Sequence, residues 1–134
     1  MKVLVVYHTT YGHTLQLARA VEAGVKSVAG VEAVFRRAPE FPHVEKELEA
    51  GDGYATKIWK DQKDIRPCTL DDLREADGLL LGSPTRYGNM CAPMKALIDS
   101  TASLWLSAQW KANPRAFSLP RLRHTVDRRR HALR

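Results

Sequence analysis

Residues 82–90, Gly-Ser-Pro-Thr-Arg-Tyr-Gly-Asn-Met, directly follow an apolar run and combine backbone-shaping residues with polar side chains. Pro84 fixes one backbone torsion, and Gly88 permits a positive φ or a close backbone approach. The remaining candidates supply hydrogen-bonding groups and one aromatic ring: Thr85, Arg86, Tyr87 and Asn89. This combination indicates a loop that binds a polar, planar ligand. An ordinary strand-to-helix connection built from turn residues is the alternative.

A second candidate site precedes it in the chain, at residues 9–14, Thr-Thr-Tyr-Gly-His-Thr. It separates the apolar run 2–7 from residues whose apolar spacing, up to Gly30, is that of a helix. Such a junction directs free backbone N–H groups and the positive end of the helix dipole to one point. We therefore predict a phosphate site, with threonine capping of the helix as the alternative. Its residues are Thr9, Thr10, Tyr11, Gly12, His13 and Thr14.

The elements around these loops alternate between strands and helices. Strands are predicted over residues 2–7, 31–35 and 76–82, and Thr69 is predicted to open a short helix. Residues 38–68 read as a long irregular connection with a short helix near residues 43–50. This order indicates an α/β fold with a doubly wound parallel sheet, in which ligands bind beyond the carboxyl ends of the strands. Both loops would then lie at one edge of the sheet.

Composition narrows the class of protein. The 134 residues are 44% hydrophobic, which suits one globular domain, and no apolar run approaches the ~20 residues of a membrane span. The amino terminus does not have the pattern of a signal peptide, so we expect a cytoplasmic protein. Cys68 and Cys91 lack CxxC or metal spacing, which indicates reduced thiols and no metal site. His43 is expected to be a solvated loop residue.

With these residues in place, the sequence resembles the WrbA-type NAD(P)H:quinone oxidoreductases, which are flavoproteins of flavodoxin-like fold. The resemblance covers residues 1 to about 105, and the PTRYGNM segment is its most specific part. It rests on residues 2–7, on residues 11–14, on residues 76–78, on residues 82–90 and on Leu104-Trp105. It implies a flavodoxin-like sheet of which this chain holds the first three strands.

The resemblance also implies the ligands. Residues 9–14 would surround the phosphate of FMN, and residues 84–89 would lie along its isoalloxazine ring. Tyr11 and Trp105 would border the position shared by NAD(P)H and the quinone, and Arg86 would stabilise the reduced, anionic ring. The implied reaction is two-electron transfer from NAD(P)H through FMN to a quinone, with no catalytic acid or base assigned to the protein. A homo-oligomer, dimer or tetramer, is implied for the complete protein. An FMN-binding electron carrier without a quinone site is the alternative.

The last part of the chain departs from this pattern. Residues 106–134 carry a net charge of +7, against −1 for residues 1–105, and form an irregular basic tail with no strand or helix period. Codons permitted for residues 110–131, read from the third base, can spell EGKPAGVFTSTASTHGGQETT, which supplies the third flavin loop that the family would have. We therefore predict a frameshift near residues 107–109, in the gene or in its sequencing. A non-catalytic fragment whose tail binds acidic partners is a further alternative, and a nucleic-acid partner is not favoured, because no groove-reading motif is present.

Overall fold

Three parallel strands form the centre of the fold in the computed structural model, which describes residues 1–107. They are β1 (Lys2–Tyr7), β2 (Glu32–Arg37) and β3 (Gly78–Gly82), and they pair in the order β2-β1-β3. In the register, Val5 of β1 faces Phe35 of β2 and Leu80 of β3. The predicted parallel α/β sheet is therefore confirmed. A separate two-stranded hairpin pairs β4 (Thr85–Arg86) with β5 (Asn89–Met90).

Helices follow the strands and cover the sheet on both faces. In chain order they are α1 (His13–Lys26), α2 (Pro42–Ala50), α3 (Tyr54–Asp61), α4 (Leu70–Glu75), α5 (Ala92–Asp99) and α6 (Ala102–Leu106).

Alternation along β1 divides the core into two layers, because successive strand residues point to opposite faces. Leu4 and Val6 belong to one buried cluster, which includes Met94 of α5 and Leu104 of α6. Val5 and Tyr7 belong to the other cluster, which includes Ala18 of α1. Helices thus cover both faces of the strand, as expected for a doubly wound sheet.

The connection over residues 38–68 is more ordered than the sequence analysis predicted. Its short helix near residues 43–50 is confirmed as α2, whose first turn begins at Pro42. The irregular structure predicted for residues 54–61 is wrong, because these residues form α3. Packing accounts for the second helix: the guanidinium of Arg37 lies 4.4 Å from the centre of the Trp59 ring, and this cation–π contact ties α3 to β2.

Other local predictions are confirmed with small shifts in their bounds. Thr69 caps α4 through a capping box with Asp72, and the Asp72 carboxylate also accepts hydrogen bonds from Arg36 of β2. β2 continues through Arg37, whose N–H donates to Arg66 O and whose carbonyl oxygen accepts from Cys68 N–H. These two hydrogen bonds form a parallel bridge between Arg37 and Pro67. His43 is exposed as expected, but it lies on α2.

The predicted basic tail lies outside the described residues, apart from Leu106 and Ser107. The domain boundary near residue 105 and the frameshift therefore stay predictions. Cys68 and Cys91 are both free and buried, and no cluster of three or more metal-ligating side chains occurs among residues 1–107. Over the same residues, the helices are too short or too polar to cross a bilayer.

Candidate functional site

The first loop joins β1 to α1 and leaves several backbone donors free. Gly12 adopts φ 90° at the amino end of α1 and makes no side-chain capping bond. Its own N–H donates to Thr9 Oγ1 at 3.0 Å, which shapes the turn before the helix. The N–H groups of residues 13–15 have no acceptor among residues 1–107. A helix amino terminus with free N–H groups attracts an anion, so this loop has the donors for a phosphate.

The second loop follows β3 and is built as a tight hairpin. Tyr87 and Gly88 form its two-residue turn with φ 50° and 80°, as a type I′ turn requires. The positive φ allowed for Gly88 is thus confirmed, whereas the hairpin itself was not predicted. Tyr87 is fully exposed at the tip of the turn. The turn therefore presents an aromatic side chain and flanking polar groups to solvent.

The two loops meet at the carboxyl edge of the sheet. The backbone N–H of His8 donates to Gly82 O at 2.9 Å, which joins the ends of β1 and β3. Arg86 Nη2 then donates to Thr10 Oγ1 at 3.2 Å and connects the hairpin to the first loop. A methyl group added to Gly82 would lie 3.4 Å from Thr14 Cγ2, so the start of α1 packs closely against the end of β3. This is the shared edge that the sequence analysis predicted.

A buried group of polar side chains supports this edge from below. His8 Nε2 and Glu40 Oε2 are 2.8 Å apart, and both side chains are nearly buried. Burial alone would lower the pKa of His8, but its neighbours Cys91 and Glu40 raise that pKa to about 9. We regard Glu40 as the partner that stabilises the protonated imidazole. His8 Nε2 bonds the Glu40 carboxylate, whereas His8 Nδ1 makes no hydrogen bond to any described residue. The imidazolium and the carboxylate thus form an ion pair that joins the residue after β1 to the segment after β2.

Cys91 is the residue that precedes α5, next to the second loop, and it is almost completely buried. Burial by itself would raise the pKa of the thiol, but the neighbouring His8 and Ser83 lower it below its usual range. Ser83 Oγ lies 3.3 Å from Cys91 Sγ and accepts a hydrogen bond from the Cys91 backbone at 3.0 Å. These bonds fix the start of the second loop to the start of α5.

A shallow depression of about 550 Å³ lies at the opposite, amino edge of the sheet. Lys2, Glu32, Glu75 and Asp77 are among its lining residues. Two of these form an ion pair across it, because Lys2 Nζ lies 2.9 Å from Glu75 Oε2. Since parallel sheets bind ligands at their carboxyl edge, we assign the candidate site to the two loops and not to this depression.

Comparison with known proteins agrees with this geometry. The family model for NADPH-dependent FMN reductase matches residues 1–126. The chain belongs to the NADPH-dependent FMN reductase family. It is 46% identical over 107 residues to an NAD(P)H dehydrogenase (quinone) of Syntrophobacter fumaroxidans, and that match covers 80% of this chain and 51% of the relative. It is 43% identical over 106 residues to a protein of the same name from Geotalea daltonii, covering 79% of this chain and 50% of that one.

Two further relatives extend the comparison. A quinone-oxidoreductase QR2 of Triphysaria versicolor is 39% identical over 114 residues, covering 84% of this chain and 52% of the relative. The crystal structure of a flavodoxin, WrbA-like protein from Agrobacterium tumefaciens superposes with a TM-score of 0.52 at 25% identity. That superposition covers 81% of this chain and 52% of the other. The flavodoxin-like fold is thereby confirmed, and the chain spans about half the length of the curated relatives it matches.

Most of the predicted site residues of this reductase-family chain lie on the two converging loops. The structure places residues 9–12 on the first loop, residues 13 and 14 in the first turn of α1, and residues 84–89 around the hairpin. Trp105 is the exception: it lies on α6, 72% exposed, and none of the hydrogen bonds or aromatic contacts within residues 1–107 joins its side chain to either loop. The roles of all the predicted site residues toward FMN and substrate stay predictions.

The contribution of α3 to this edge was not predicted from the sequence. Tyr54, the first residue of α3, stacks beside Tyr11 with ring centres 6.4 Å apart and an angle of 16° between the rings. Ile58 Cδ1 lies 3.3 Å from the position that a Cβ on Gly12 would occupy. The spacing of Tyr54, Ile58 and Gln62 at intervals of four residues was the available signal, because it is the period of one helix face.

Proposed function

We propose that this chain carries the FMN-binding loops of an NAD(P)H:quinone oxidoreductase, which reduces a quinone by two electrons. The observation that supports this most directly is the bond from Arg86 to Thr10, because it joins a phosphate-type loop to a hairpin with aromatic and polar groups. The reaction class comes from two relatives, both of which are named NAD(P)H dehydrogenase (quinone).

The residues present fit FMN in their donor chemistry. The free N–H groups at the start of α1, with the hydroxyls of Thr9, Thr10 and Thr14, would hold the phosphate. Residues 84–89 would lie along the isoalloxazine ring, with Arg86 as the fixed positive charge on its electron-rich side. FMN, when bound, supplies the hydride chemistry, and the protein orients the ring and its substrates. Tyr11 and Trp105 are proposed to border the nicotinamide and quinone position.

Two finer features belong to the same proposal. We infer that the complete protein is a homo-oligomer, dimer or tetramer, because the WrbA-type resemblance implies one; analytical ultracentrifugation tests this. We also infer a cytoplasmic location, which the two free cysteines support, since structural disulfides are a feature of oxidising compartments.

A fluorescence titration of FMN with the purified protein tests the proposal. We expect saturable quenching, and we expect Arg86→Ala to raise the Kd about tenfold, since a hydrogen bond to a charged group contributes about 1.5 kcal/mol. Arg86→Lys keeps the charge but not the planar fork, so it should restore part of the affinity. Arg66→Ala is the matched control, because Arg66 is exposed and its side chain makes no hydrogen bond to any residue of the described chain.

The outcomes separate the candidate functions. Saturable FMN binding together with steady oxidation of NADH by benzoquinone supports the reductase. FMN binding without any quinone-dependent oxidation would favour the electron carrier instead. The proposal is wrong if the protein quenches no FMN fluorescence, or if Arg66→Ala weakens binding as much as Arg86→Ala.

A further inference from the structure

Helix α3 has a fixed position over the first loop. The buried Tyr7 hydroxyl donates to Gln62 Oε1 at 2.8 Å, which anchors the end of α3 to β1. Trp59 lies under the guanidinium of Arg37, and Ile58 contacts the Gly12 turn. Because these contacts hold the helix to the sheet and to the loop, the first residue of α3 has a defined place at the carboxyl edge.

That first residue, Tyr54, leaves a large aromatic surface open beside the loop. Its side chain and that of Tyr11 are 62% and 54% exposed, although their rings are nearly parallel. Burial in the core therefore does not account for either ring. Tyr11 also follows Thr10, which accepts the hydrogen bond from Arg86, so the aromatic pair lies next to the junction of the two loops.

We propose that Tyr54 forms, together with Tyr11, an aromatic surface that binds the planar ring of the quinone substrate. This inference rests on the proposed function and adds to it a substrate-binding residue outside both predicted loops. Aromatic faces bind flat conjugated rings by stacking, and the tyrosine hydroxyl can donate to a quinone carbonyl oxygen. α3 thereby contributes to substrate choice as well as to the stability of the loop.

The test uses the full 134-residue protein and duroquinone, a fully methylated quinone that does not add to thiols. Tyrosine ring resonances are followed by NMR during a duroquinone titration, with and without saturating FMN, and are assigned with Tyr11→Phe and Tyr54→Phe. We expect the resonances of both rings to shift with one common Kd. Tyr54→Ala should raise that Kd by about three- to tenfold, and Tyr54→Phe should keep it within about twofold, because the ring supplies most of the contact.

Two further measurements separate substrate binding from a purely structural role. Lys57→Ala is the control on the same helix, since Lys57 is exposed and makes no side-chain hydrogen bond to any residue from 1 to 107; it should leave the duroquinone Kd unchanged. The Kd for FMN should change less than twofold in Tyr54→Ala, because the Tyr54 ring stacks on the Tyr11 ring and makes no hydrogen bond to the first loop within residues 1–107.

Several results would overturn the inference. The inference is wrong if about 1 mM duroquinone shifts the resonances of neither tyrosine ring. It is also wrong if Tyr54→Ala leaves the duroquinone Kd unchanged but raises the FMN Kd tenfold, because Tyr54 would then only stabilise the first loop. If the protein fails to bind FMN while duroquinone still shifts both rings, the proposed function fails and the aromatic surface stands.

Discussion

Replacing Gly12 by alanine tests the conformation on which the first loop depends. Gly12 has φ 90°, and a Cβ there would lie 3.3 Å from Ile58 Cδ1. The left-handed conformation costs a residue with a Cβ about 1–2 kcal/mol. The close approach of the new Cβ to Ile58 adds little to this cost, because Ile58 Cδ1 is the far end of a flexible side chain that can move by a few tenths of an ångström. We therefore expect Gly12→Ala to lower the free energy of unfolding by about 1–2 kcal/mol.

Two other glycines provide matched controls. Gly30 has φ 76° with open space around its Cβ position, so Gly30→Ala should cost about the same 1–2 kcal/mol from the backbone alone. Gly24 lies inside α1, also with open space, so Gly24→Ala should instead stabilise the protein by about 0.5–1 kcal/mol. The three variants make the same chemical change and differ only in backbone conformation and location.

Urea unfolding and the FMN titration together distinguish the effects. Gly12→Ala and Gly30→Ala should lose similar stability, but Gly12→Ala alone should raise the FMN Kd, by about tenfold, because its strain displaces the N–H groups at the start of α1. The structural reasoning is refuted if Gly12→Ala stabilises the protein as Gly24→Ala does. The assignment of the phosphate site is refuted if Gly30→Ala weakens FMN binding as strongly.

Two further predictions concern buried polar pairs. The raised pKa of His8, about 9 in the fold against about 6.5 in the unfolded chain, means that its contribution is complete below pH 6.5 and is lost as the pH rises through 9. Urea unfolding from pH 6.5 to 9.5 should thus show a decline of at most about 3 kcal/mol, which ionisation of Cys91 reduces, and the decline should be shallower in Glu40→Gln; an equal decline in both proteins would contradict the ion pair. Gln62→Leu should cost about 1–3 kcal/mol, because it leaves the buried Tyr7 hydroxyl without its acceptor, and adding Tyr7→Phe should recover part of this loss. Additive effects of these two changes in a double-mutant cycle would argue against the bond.

The site was predictable from the sequence where a local pattern fixes the backbone. The hydroxyl-rich turn before α1 and the glycine at position 88 both follow from the residues themselves, since a helix start leaves N–H groups free and positive φ favours glycine. The shared location of the two loops also followed, because parallel strands align their carboxyl ends. The bond from Arg86 to Thr10 could not be predicted, because it depends on how a long, exposed side chain crosses between segments 76 residues apart.

The order of the three parallel strands, the apolar run of β1 and the helix that follows the first loop are thus determined by the sequence itself, because they depend on local periodicity and on backbone preferences. Tertiary structure decided the rest. Residues 54–61 become a helix because Ile58 and Trp59 find partners on the first loop and on β2. The same packing brings Tyr54 beside Tyr11, 43 residues away in the chain. The spacing of residues along α3 can indicate a helix face, but it does not identify the partner that this face contacts, because that partner is distant in the sequence.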